Sequence, residues 1–211
     1  MDHHDELNFK EIAKVIKNNS VVVDVGAHIG TYCNFFLETL DDSGKVYVLE
    51  VHPVNFNRLY KKYNLSDNVV LLNKAASNID GVEPVYHDGT MSHTHTTNII
   101  GKNSNGEPID NFKIGSVSSI RLDTLLINET TIDLIKIDVE GAEIKVLEGL
   151  SKIHSRIKNI IIECHFDDDW DKIKDLLINR YNFLCYDLSN KNNITINTDE
   201  RAYQCLCKKI I

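Results

Sequence analysis

Residues 21–30, Val-Val-Val-Asp-Val-Gly-Ala-His-Ile-Gly, limit the fold of this chain more than any other stretch. Three β-branched residues, then Asp24, then glycines at 26 and 30 ahead of a helical pattern, read as a buried strand that stops in a tight turn and passes into a helix. Chain corners of this kind bind ligands.

The glycine spacing bears on which ligand. A dinucleotide site needs Gly-x-Gly-x-x-Gly, so that a pyrophosphate can rest on bare backbone N–H groups at a helix N-terminus. Here only Gly26 and Gly30 are present. Asp24 would repel a pyrophosphate, yet it suits a ligand carrying an ammonium or sulfonium charge, such as S-adenosylmethionine. Gly26 would let backbone approach that ligand, and Gly30 would let the helix pack close to the strand. An ordinary strand-to-helix turn remains open on these ten residues alone.

The pattern then repeats. A helix over 32–40, a turn at Asp41-Asp42-Ser43-Gly44 and a strand over 45–50 complete a βαβ unit, the building block of a parallel sheet. Its second strand ends on Glu50, where a carboxylate accepts hydrogen bonds from ribose hydroxyls. A helix follows Pro53, a third strand covers 68–73, and residues 82–86 read as an added strand. Residues 86–116, rich in Gly, Asn, Ser, Thr and His, read as an irregular loop that covers the substrate. His93 and His95 within it could serve as substrate contacts or bases, or could simply be solvated.

A second informative block, Ile132-Asp-Leu-Ile-Lys-Ile-Asp-Val-Glu-Gly-Ala-Glu143, reads as a buried strand ending in Asp138 and a helix beginning near Gly141. Asp138 and Glu140 crowd the strand end, with Glu143 in the first helical turn, where negative charge is favoured. Residues 159–165 form another buried strand, finishing with Glu163 and His165. Strands over 181–188 and 202–208 close the chain, with a turn or hairpin tip at 190–197. Asp24, Glu50, Asp138 and Glu163 thus all fall at strand ends, where an open parallel sheet binds its ligands.

The chain has 211 residues, which suits one domain over 1–211, with a helical flank over 1–18 whose His3 and His4 read as solvated. Twenty-three basic against 31 acidic residues give a net charge of −8, unfavourable to a nucleic-acid partner. No apolar run approaches membrane-spanning length, and the polar start resembles no signal peptide. Five cysteines without a Cys-x-x-Cys read as reduced thiols in a cytoplasmic protein, with Cys205 and Cys207 packed in the core.

These blocks, Val-Asp-Val-Gly-Ala-His-Ile-Gly-Thr-Tyr, Glu50-Val-His-Pro, Arg-Leu-Asp-Thr-Leu, Ile-Lys-Ile-Asp-Val-Glu-Gly-Ala-Glu and Ile-Ile-Glu-Cys-His, closely resemble in order the FkbM family of S-adenosylmethionine-dependent methyltransferases. The resemblance covers residues 21–165. It implies the class I methyltransferase fold, an α/β Rossmann-like sheet of seven strands in the order 3-2-1-4-5-7-6, the last strand antiparallel and helices on both faces. It also implies methyl transfer to a hydroxyl of a sugar, glycan or small natural product, leaving S-adenosylhomocysteine. By matching position, Asp24, Gly26 and Gly30, with His28 where the family usually has Asn, would flank the methionine part of the cofactor. Glu50 would hold the ribose and the segment from Asn73 to Ala75 the adenine, while Asp138 and Glu140 would lie where cofactor and acceptor meet.

A hydroxyl acceptor must lose a proton, and His165, Asp138 and Glu163 are the expected bases, with His93 or His95 second. Asp138, Glu163 and His165 could instead hold a divalent cation, which ranks below a metal-free base because no ligand pair stands at helical spacing. Little chain precedes the first strand, so the acceptor is expected against residues 86–116 or against a second subunit of a homo-oligomer. A nicotinamide-dependent oxidoreductase, a nucleic-acid methyltransferase and a non-catalytic binding module are the rival readings.

Overall fold

A computed structural model describes residues 3–87, 97–102, 107–108, 113–199 and 201–210, with side chains in the first helix from Phe9 onward. His93 and His95 therefore lie outside the described residues. Helix α1 (His3–Val15) leads into β1 (Val21–Val25), α2 (Thr31–Thr39), β2 (Lys45–Leu49), α3 (Pro53–Tyr63) and β3 (Val69–Leu72). Four strands of a second sheet come next, β4 (Ala75–Ala76), β5 (Gly81–His87), β6 (Thr97–Asn98) and β7 (Lys113–Ile120). The short α4 (Leu122–Leu125) returns the chain to β8 (Leu134–Ile137), α5 (Glu143–Gly149), β9 (Asn159–Glu163) and α6 (Trp170–Lys174). Strands β10 (Phe183–Asp187), β11 (Asn193–Ile194) and β12 (Gln204–Lys209) complete the fold.

The main sheet runs β11-β10-β12-β9-β8-β1-β2-β3. Numbered by their order in this sheet alone, and leaving out β11, seven strands take the expected order 3-2-1-4-5-7-6, with β12 antiparallel to both neighbours. The eighth strand, β11, pairs with β10 from within the stretch read as a hairpin tip. β11 makes only two residue pairs with β10, Cys185 with Ile194 and Tyr186 with Asn193, too few to leave a sequence signal.

Side chains alternate across this sheet, as strand geometry requires. Val23, Val25, Ile135, Ile137, Ile160 and Ile162 face one core with Val146, Leu147, Trp170 and Ile173 of α5 and α6. Val22, Val46, Val48, Leu134 and Ile161 face the other with Ile12, Cys33, Phe36, Leu59 and Tyr63 of α1, α2 and α3. At about 25 cal/mol per Å² of apolar surface removed from water, these two layers are the main stabilising term.

The first helix begins at His3, within the helical flank expected over 1–18. Two expectations are corrected. Residues 113–116, read as loop, belong to β7, which pairs antiparallel with β5; Gly115 and Ser116 hid the start of that strand. Cys185 and Cys207, read as reduced thiols, form a disulfide. They stand directly opposite in the β10–β12 register, a pairing that 22 residues of sequence separation do not reveal.

Candidate active site

The glycine corner forms as its sequence requires. Gly26 has φ +81°, and a Cβ there would lie 1.7 Å from the Asp138 carbonyl oxygen, so only glycine fits between β1 and the end of β8. Gly30, at φ +90°, is tight for a different reason from the one expected: its Cβ would meet Leu59 of α3 at 2.6 Å. The close approach is between helices, not between helix and strand. His28 and Glu140 also hold positive φ, 52° and 55°, conformations that cluster at ligand sites.

A cavity of about 270 Å³ opens at the carboxyl ends of β1, β2 and β8. Gly26, His28, Glu50, Ala75, Asp138 and Glu140 line it, together with Lys74 from the segment expected at the adenine and Asn98 and Ile99 from the stretch expected to cover the substrate. Asp24, Gly30, Asn73, Glu163 and His165 stand outside this lining.

Glu50 is positioned by its own turn. Its two oxygens accept the backbone N–H groups of His28 and His52, both at 2.7 Å. Burial raises its carboxyl to about 7 against the pull of those two donors. Asn73 supports the same turn, its Nδ2 donating to the carbonyls of Glu50 at 2.7 Å and Val51 at 3.2 Å.

Asp24 has a different surrounding from the one expected. It is fully buried and stands opposite Lys136 in the parallel β1–β8 register, on the face packed by α2. Lys136 Nζ lies 3.5 Å from Asp24 Oδ1 and 3.2 Å from Asp138 Oδ2, and donates to the Gly26 carbonyl at 3.0 Å. It also lies over the Tyr32 ring, 4.9 Å from the centroid. Burial raises the Asp24 carboxyl, with Lys136 opposing. Burial would lower the Lys136 ammonium, but Asp138 and Asp24 outweigh it and the net shift is upward. One buried cation therefore ties the glycine turn to the end of β8. The hidden signal was a lysine inside the apolar run Leu-Ile-Lys-Ile.

Beside the cavity, four carboxylates surround one imidazole. His165 Nδ1 lies 2.7 Å from Glu143 Oε1, and Nε2 lies 3.4 Å from Glu140 Oε2, 3.4 Å from Glu163 Oε1 and 3.8 Å from Asp138 Oδ1. Burial alone would lower the imidazole, but Glu143, Glu163 and Glu140 hold it at about 11 in the ligand-free chain. Glu163 is fixed from β12 and the turn before it, by Gln204 Nε2 at 2.8 Å and by the Tyr203 hydroxyl. Burial pushes it up, but His165, Tyr203 and Gln204 prevail and leave it at about 2. Glu140 goes the other way, raised by burial to about 7 despite His165.

A βαβ-built sheet with the seven-strand order described, β12 alone reversed among those seven, and a cavity over its carboxyl edge define a class I methyltransferase fold. Solved structures agree. An FkbM methyltransferase from Methylobacillus flagellatus matches with TM-score 0.56 at 17% identity, covering 92% of this chain and 44% of that one. A Clostridium thermocellum protein described as an rRNA methylase matches with TM-score 0.59 at 12% identity, over 100% and 98%. A Streptococcus mutans protein described as a methyltransferase, in complex with S-adenosylhomocysteine, matches with TM-score 0.51 at 14% identity, over 100% and 99%. In sequence, the methyltransferase sdnD of Sordaria araneosa is 23% identical over 175 residues, 70% of this chain and 67% of its own length. The FkbM methyltransferase domain model matches residues 24–185. The chain belongs to this family of S-adenosylmethionine-dependent methyltransferases.

Proposed function

We propose that the chain moves the methyl group of S-adenosylmethionine to a hydroxyl oxygen of a sugar, glycan or small natural product. The observation that carries this reading is the cavity itself. It joins a carboxylate aimed by two backbone donors, Glu50, to a second carboxylate edge at Asp138 and Glu140. Glu50 suits the ribose hydroxyls, while Gly26, His28 and Ala75 leave room for the rest of the cofactor. Asp138 and Glu140 border the place left for the acceptor.

Transfer from a sulfonium is an in-line displacement. A lone pair of the acceptor oxygen forms the new C–O bond as the C–S bond breaks, and that bonding pair returns to sulfur, leaving a neutral thioether. Alignment supplies most of the acceleration, because the cofactor is already activated. The hydroxyl proton must go to a base. Glu140 is the carboxylate we assign, since it lines the cavity, whereas Glu163 is held by Tyr203 and Gln204 and stands outside it. His165 acts as a positioning group among the carboxylates.

Among the described residues, no helix is long and apolar enough to cross a membrane. The cytoplasmic reading leaned on reduced thiols, and the Cys185–Cys207 disulfide removes that support. The test is a methyl-transfer screen over hydroxyl compounds with labelled S-adenosylmethionine. Glu140→Gln should lower kcat at least roughly 100-fold with little change in cofactor affinity. Full turnover in that variant would overturn the assignment of the base.

A further inference from the structure

His165 is held as a metal-binding histidine is held. Its Nδ1 meets Glu143, a carboxylate without solvent access, at 2.7 Å, within the 2.7–3.2 Å range of a hydrogen bond. Its Nε2 then faces Glu163 Oε1 and Glu140 Oε2, each at 3.4 Å, and Asp138 Oδ1 at 3.8 Å, all longer than that range. Two ligands of one cation, each at roughly 2.1–2.2 Å, stand roughly 3.0–3.6 Å apart at octahedral to tetrahedral angles. Of the separations to Glu163 and Asp138, 3.4 Å lies inside that range and 3.8 Å just beyond it. One ligand atom from each of Asp138, Glu163 and His165 lies within 4.8 Å of the others.

A second observation concerns charge. Glu143 spends Oε1 on His165 and on the Gly141 N–H at 3.0 Å, and its buried Oε2 has no hydrogen-bond partner among the described residues. Four carboxylates, Asp138, Glu140, Glu143 and Glu163, face one imidazole. Lys136 reaches Asp138 and is already shared with Asp24. Burying such an excess of negative charge is costly without a further positive charge among the side chains.

We infer that Asp138, Glu163 and His165 form a site for a divalent cation that receives the acceptor hydroxyl, the catalytic part of which rests on the methyl-transfer reading above. Oxygen ligands with one imidazole and no thiolate suit Mn²⁺, Mg²⁺ or Zn²⁺ rather than a soft ion. Glu143 is the outer carboxylate that fixes the ring and leaves Nε2 to the cation. On binding, the cation takes the place of the Nε2 proton, which passes to solvent. An acceptor hydroxyl entering from the cavity side shares the cation through its oxygen, becomes more acidic, and gives its proton to Glu140.

The experiment is a Mn²⁺ titration of the full chain followed by electron paramagnetic resonance, with Mg²⁺ and Zn²⁺ as competitors. One saturable site per chain is expected, at least tenfold weaker in His165→Gln and in Glu163→Gln, and 10- to 100-fold weaker in Glu143→Gln. The unfolding temperature of the unaltered chain should also rise with Mn²⁺ and fall back with chelator. No saturable site in the unaltered chain, or equal affinity in all three variants, overturns the inference. S-adenosylhomocysteine titrated into the same samples separates the two claims. Cofactor binding without a Mn²⁺ site removes this inference alone, whereas a Mn²⁺ site without cofactor binding supports the site and removes the methyl-transfer reading.

Discussion

Replacing Lys136 by Met tests the electrostatic arrangement at the centre of the sheet. Asp24 is fully buried, neither of its oxygens has a hydrogen-bond partner among the described residues, and its compensation comes from Lys136 Nζ at 3.5 Å. Removing one member of a buried pair leaves the other uncompensated and costs about 3–5 kcal/mol. For a chain of this size each kcal/mol moves the midpoint by about 2–4 °C, so Lys136→Met should unfold roughly 6–20 °C lower. Urea unfolding should show the same loss as a lower midpoint at constant slope. The double variant Asp24→Asn/Lys136→Met should recover at least about half of the loss, because the two residues act on each other. Cofactor affinity should fall in the single variant, since Lys136 also holds the Gly26 carbonyl and Asp138. A loss below about 1 kcal/mol, or no recovery in the double variant, would refute the claim that this pair organises the corner.

Other outcomes follow from the same geometry. Glu50 titrates at about 7, and its ionised form is the better acceptor for ribose hydroxyls, so S-adenosylhomocysteine should bind about tenfold more weakly at pH 6 than at pH 8. The folded pKa lies above that of the unfolded chain, so Glu50 favours the ligand-free fold below about pH 4.5, and that contribution is lost as pH rises through 7. Glu50→Gln should flatten the pH dependence of binding; an unchanged profile in calorimetry would take Glu50 out of the site. Gly26→Ala places a methyl group 1.7 Å from the Asp138 carbonyl at a positive φ, and should both destabilise the chain and abolish cofactor binding. Wild-type affinity and unfolding temperature in that variant would contradict the close approach of β1 and β8.

The sheet was legible because its strands are apolar and its turns carry Gly, Asp and Asn, and periodicity reports both. That Glu50, Gly26 and Asp138 would come together at one edge of the sheet was legible because all three stand at strand ends, and the cavity they line lies there. The partner of Asp24 was not, because a β1–β8 register sets Asp24 beside Lys136 across 112 residues. Tyr203 and Gln204 escaped notice for the same reason: only the antiparallel β9–β12 pairing brings them to Glu163. Local pattern reveals an element and its ends, whereas a long-range register decides which charges meet.

The most direct test of the account is calorimetric titration of the full chain with S-adenosylhomocysteine, with NAD as the control. Saturable one-to-one binding of S-adenosylhomocysteine alone, weakened at least tenfold in Glu50→Ala while the variant stays folded, is the predicted result. No binding in a folded sample freed of co-purified ligand, or binding of NAD instead, would contradict the assignment of this cavity to the methyl donor.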